Sequence, residues 1–147
     1  MRTCVIIATI STAALGALVP ATAEAARYSG KTSQDRTVSV VTGADGLVQR
    51  VSIRWRAPCR HGSYRNRSVF VPPLDSSTAD AIADRWVQRQ RSRGGFVGRV
   101  SMNMSGTHTA SPDRWSGTMR VRITVRRRGR VVDTCRLRNL TWSADLN

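Results

Sequence analysis

The side chains able to do covalent or acid–base chemistry are few and scattered. Beyond residue 26 the chain holds two cysteines (Cys59 and Cys135), two histidines (His61 and His108), and eight aspartates with no glutamate. A carboxylate pair for glycoside hydrolysis needs two acids at a set separation, and nothing in the spacing selects such a pair. Asp35, Asp45, Asp75, Asp80, Asp84, Asp113, Asp133 and Asp145 fall mostly in turns or at an expected helix start, where local hydrogen bonding explains an aspartate. His61 or His108 beside a serine could act as a general base, so a small hydrolase is one reading. Neither histidine is accompanied by a nucleophile-elbow pattern. Cys59-Arg60-His61 invites a metal site, but no further ligands follow at zinc spacing. We expect no catalytic residue, no metal and no cofactor.

What the chain has in excess is positive charge. Its 147 residues carry 24 Lys+Arg against 9 Asp+Glu, a formal net charge of +15. After residue 26 the cations are 22 arginines and a single lysine, Lys31. The planar guanidinium fork suits bidentate contacts to phosphate and carboxylate. Such a preference for arginine over lysine also fits a genome rich in G and C, but a positive surface attracts anions whatever its origin. Outside a cell these are wall teichoic polymers, membrane headgroups, acidic polysaccharide and released nucleic acid. Sequence-specific nucleic-acid reading is not expected, because no recognition motif occurs and no exposed aromatics for base stacking are evident.

The elements that must position these charges read as strands. Val51, Ile53, Trp55, Ala57 and Cys59 share one parity, and Ser52, Arg54 and Arg56 share the other. That alternation marks a half-buried strand. It recurs in Phe96, Gly98, Val100, Met102 and Met104 against Arg99, Ser101 and Asn103. The longest run is Trp115 through Val125, opposed by Thr118, Arg120 and Arg122. In the last strand Cys135 and Leu137 have one parity and Leu140 and Trp142 the other, so a bulge near Asn139 is expected. Arg127-Arg128-Gly129-Arg130 reads as a hairpin tip. On this parity Arg54, Arg56, Arg99, Arg120, Arg122, Arg136 and Arg138 all face outward, as an anion-binding band. Residues 60–67 and 105–113 read as loops. Over 77–91, Ala79, Ile82, Ala83, Trp86 and Val87 recur at three- and four-residue spacing, and Ser77 with Asp80 resembles a capping box. An amphipathic helix inserted at 76–92 is expected there. The fold class is all-β, mainly antiparallel, with six or seven strands in a sandwich or partly closed barrel.

The N-terminus places this domain. Arg2, an apolar run over residues 4–18 and the small-residue site Ala23-Glu24-Ala25 have the layout of a secretory signal peptide. Residues 1–26 are then removed, leaving one domain, 27–147. Removal takes one cation and one anion, so the charge stays at +15. An oxidising compartment and an even count favour a disulfide between Cys59 and Cys135. It closes a loop of about 77 residues and contributes roughly 4 to 4.5 kcal/mol in the chain-entropy picture. The expected location is extracellular, with cell-wall association as one form.

Short motifs add a resemblance. The opening Tyr28-Ser29-Gly30-Lys31-Thr32-Ser33-Gln34, the strand running into Cys59, Gly95-Phe96, the Gly117 strand and the ending from Cys135 to Trp142-Ser143-Ala144 are similar to those of small secreted actinobacterial proteins. The resemblance implies an all-β, disulfide-linked domain and no particular activity. The leading functional expectation is a non-enzymatic domain that associates with anionic envelope or extracellular polymer, or with membrane headgroups. The alternative is a module for an extracellular protein partner, an inhibitor or toxin-like factor acting through the 60–67 and 105–113 loops.

Overall fold

The computed structural model describes residues 25–92 and 94–147. All but the last two residues of the expected signal peptide lie outside that range, as does Arg93. The strands are β1 (Arg27–Thr32), β2 (Thr37–Thr42), β3 (Val48–Cys59), β4 (Gly62–Phe70), β5 (Ser76–Ser77), β6 (Ala81–Ser92), β7 (Phe96–Ala110), β8 (Asp113–Arg127) and β9 (Arg130–Leu146). They form one antiparallel sheet in the order β4-β3-β2-β1-β9-β8-β7-β6-β5, and no closed barrel. Two meanders, β1–β4 and β5–β9, are joined where β1 pairs with β9, Tyr28 opposite Leu146 and Thr32 opposite Trp142. There are nine strands rather than six or seven, because β1 and the short β5 carry no long alternating run and β6 reads as a helix.

Parity in the sequence becomes inside and outside. Val51, Ile53, Trp55 and Ala57 of β3 are fully buried, as are Met104, Trp115, Met119 and Leu140 or nearly so. Burying each large side chain contributes on the order of 2–3 kcal/mol. The sheet curls around this core. Trp55 Nε1–H donates to Ser68 Oγ at 2.7 Å, and the Ser68 hydroxyl reaches Met102 Sδ at 2.9 Å. Ser68 lies on β4 and Met102 on β7, six places apart in the strand order.

β3 and β9 meet at the curl. Cys59 pairs directly with Cys135, and the expected disulfide joins them. Just beyond, the tip of the β1–β2 hairpin fits between the same two strands. Gln34 takes the place of a strand neighbour, accepting from Arg56 N at 2.9 Å and donating to Arg56 O at 2.8 Å. Ser33 N donates to Thr141 O at 2.8 Å on the β9 side. The bridge thus pins the last strand to the third while a hairpin tip satisfies the backbone beside it.

The expected helix is a strand. β6 forms a 12-residue ladder with β7, from Ala81 opposite Thr107 to Ser92 opposite Phe96. Among its described side chains only Ile82 is deeply buried; Trp86 is 38% and Val87 46% exposed. A helix of this length is held by packing of one apolar face, and here the neighbouring β7 offers backbone partners instead. The stretch that resembled a cap is a tight turn between β5 and β6, closed by Thr78 and Ala81. Thr78 N donates to Ala81 O at 2.8 Å, and Ala81 N donates to Thr78 Oγ1 at 3.0 Å. Gly94 and Gly95, with φ of 82° and 74°, turn the chain back into β7.

Both expected loops are also ladders. Residues 60–67 comprise a two-residue tip, Arg60-His61, and the start of β4, with Cys59 opposite Gly62 and Ala57 opposite Tyr64. Residues 105–113 are the ends of β7 and β8 around Ser111-Pro112, with Ala110 opposite Asp113. Polar and glycine-rich sequence reads as loop where an edge or a strand end needs no apolar side chains. The bulge near Asn139 is present: Val121 pairs with Leu137 and Met119 with Leu140, so Arg138 and Asn139 together oppose Arg120. Gly117 opposes both Gly106 and Trp142, and the Trp142 ring covers the glycine pair. A Cβ on either glycine would lie 2.7 Å from that ring.

Candidate functional site

The outward faces of β6 to β9 carry the arginine concentration. Register carries one parity across all four strands. Arg122 lies opposite Arg136 on β9 and Ser101 on β7, and Ser101 opposite Val87 on β6. Arg120 lies opposite Asn103, and Arg99 lies between Thr124 and Arg89. All these arginines are exposed. Two shallow grooves run between them. One, of about 480 Å³, is bounded by Arg120, Arg122, Arg136 and Arg138, with Ser101, Asn103 and Asn139. The second, of about 610 Å³, is bounded by Arg89, Arg99, Arg122 and Arg126, with Thr124 and Gly129. Ser101 and Arg122 belong to both.

No carboxylate lines either groove, and among the described residues none of these arginines forms an ion pair. Most of the acids are engaged elsewhere. Asp35 pairs with Lys31, and Asp145 with Arg114. Asp75 accepts from Arg85 N at 2.9 Å, and Asp45 from Leu47 N at 3.0 Å. Asp133 Oδ1 accepts from Thr134 N at 2.7 Å and from Arg60 N at 3.1 Å. The grooves are left with a concentrated, uncompensated positive field.

Of the seven arginines expected to form a band, Arg120, Arg122, Arg136 and Arg138 line one groove and Arg99 joins Arg122 in the other. Arg54 and Arg56 are exposed on the same sheet face but line neither. They sit opposite Arg67 and Arg65 on the β3–β4 hairpin. Arg89, on the polar side of the expected helix, lies instead on β6 and lines the second groove. The signal was present: Arg85, Val87, Arg89 and Arg91 already have period two. Arg126 came into view as part of the hairpin tip, where Arg128 and Gly129 have positive φ and Arg126 Nη1 donates to Gly129 O at 3.1 Å.

The histidines are engaged structurally. His108 Nε2–H donates to Asp113 Oδ1 at 2.7 Å, and Nδ1 faces Asp80 Oδ1 at 3.9 Å. The His108 ring lies 5.2 Å from Trp115 and 6.0 Å, edge-on, from Tyr28. The hydrogen bond from His108 first, then one from Tyr28, holds the Asp113 carboxyl below its ordinary range. Burial, with Asp113 behind it, pushes the Tyr28 phenol upward. This corner ties β1, the β5–β6 turn and the β7–β8 hairpin together. His61, largely exposed, faces Asp133 at 3.8 Å. Cys59, Asp133 and Cys135 cluster as metal ligands would, but their sulfurs are bonded to each other and cannot serve as thiolates.

No protein-family model matches the chain, and no curated protein or solved structure matches it either.

Proposed function

We propose that this is a secreted, non-enzymatic domain that holds anionic cell-envelope or extracellular polymer on the outward face of β6–β9. The observation that carries this reading is the pair of adjoining grooves whose arginines have no carboxylate partner among the described residues. An anion placed there relieves repulsion among arginines whose backbone positions the ladders set. Export rests on the N-terminal layout and is compatible with the Cys59–Cys135 bridge.

The test is retention of the oxidised protein on immobilised polyanion across a salt series, beside a folded control of matched charge. Binding through the grooves predicts that log K falls with log salt by about 0.7–0.9 for each phosphate neutralised. It also predicts retention beyond the control that is lost in Arg120→Gln/Arg122→Gln. Retention equal to the control on every polyanion sinks the reading.

A further inference from the structure

The two grooves are continuous, and their linings are chemically narrow. We propose that together they form one elongated site for a linear phosphodiester chain without aromatic groups, a polyol phosphate, with successive phosphates in successive grooves. The proposal rests on the anionic-polymer reading and names its ligand class.

Four observations carry it. First, Arg122 and Ser101 wall both grooves, so one ligand can pass from one to the other without leaving the arginines. From Arg120 to Arg126 the track covers roughly 20 Å at ~3.3 Å per residue, which is long enough for several repeats but far more than a single ion needs. Second, the first groove is flanked by arginines from two neighbouring strands, Arg120 and Arg122 on β8 and Arg136 and Arg138 on β9. Donors arriving from several sides match the tetrahedral array of phosphate oxygens better than a flat carboxylate, whose two oxygens are saturated in one plane. Third, no aromatic side chain lines either groove. Single-stranded nucleic acid depends on such platforms for its bases, so the chain favoured here has nothing to stack. Fourth, beside Val97, Val121 and Leu137, the neutral lining carries hydroxyl and amide groups from Ser101, Asn103, Thr124 and Asn139. These groups suit the hydroxyls of a polyol between phosphates. A membrane surface is disfavoured, because the grooves present no exposed apolar side chain for insertion.

The experiment titrates the oxidised protein with four soluble probes at one ionic strength. They are inorganic phosphate, a synthetic glycerol-phosphate oligomer, a polygalacturonate of equal charge and length, and a single-stranded oligonucleotide of equal phosphate count. The expected result is that the glycerol-phosphate oligomer binds about tenfold or more tightly than each of the others. Arg122→Gln should weaken it by about tenfold, because both grooves lose a wall. Arg54→Gln, on the same sheet face but outside the grooves, should change it by less than about twofold. Equal or tighter binding of the polycarboxylate or the oligonucleotide overturns the ligand assignment while leaving anion binding intact. Equal effects of Arg122→Gln and Arg54→Gln overturn the site. Failure of every probe to exceed a charge-matched control overturns the broader reading instead.

Discussion

The arginine grooves on β6–β9 and the corner around His108 treat charge in opposite ways on one sheet. At the corner Asp113 accepts from His108, Asp80 faces the other ring nitrogen, and Trp115 covers the imidazole. In the grooves several arginines share one lining with no carboxylate among them. A chain with only eight aspartates after residue 26 can compensate few of its arginines, and it places those acids at turns, strand ends and the corner. The corner is organised for stability. The grooves forgo stability to keep a field open to solvent, which is the arrangement a ligand can exploit and a core cannot.

The comparison can be broken most severely at the junction that holds both regions to the core. Replacing Cys59 and Cys135 together with alanine should lower unfolding free energy by about 4 kcal/mol, read by denaturant melts. Polyanion affinity of the remaining folded fraction should persist, because neither cysteine lines a groove. Next, Gly117→Ala forces a methyl against the Ser105 carbonyl oxygen first and the Trp142 ring second and should cost about 3 kcal/mol, lowering Tm without changing the salt slope of binding. The third test divides the regions directly. Arg120→Gln/Arg122→Gln should weaken polyanion binding by about 2 kcal/mol, near 30-fold. Its thermal midpoint should rise slightly, since a repulsion has been removed. A fall in its midpoint would mean that the grooves are structural after all.

The fourth acts only at the corner. Asp113→Asn should cost about 1 kcal/mol, discounted because the carboxylate is partly exposed, with groove binding unchanged. It should also alter the acid limb. A carboxyl held below its ordinary value contributes stability that is present above the unfolded pKa of about 3.9 and lost as pH falls through the lowered one. The wild-type Tm should therefore fall more steeply over roughly pH 4 to 2 than that of Asp113→Asn. Arg120→Gln/Arg122→Gln should keep the wild-type curve in that range.

The inside-or-outside assignment of most long strands was legible from residue order alone. Trp55, Met104, Trp115 and Met119 are buried, and Arg99, Arg120 and Arg122 exposed, as their parity indicates, because side chains in a strand must alternate. The bulge at Arg138-Asn139 was legible for the same reason, since a break in parity needs an extra residue. The partnership of Cys59 and Cys135 followed from chemistry and count. β6 was not legible as a strand by its apolar residues. Ile82 and Trp86 fit both a helix face and one side of a strand, and the choice rests on the backbone edge of β7, which the Gly94-Gly95 turn folds back alongside β6. The grooves were only half legible. Local alternation puts each arginine outside, but which arginines share a groove depends on register across β6, β7, β8 and β9. Register also separates Arg54 and Arg56 from the rest, and it is set by hydrogen-bonded neighbours that no single strand encodes.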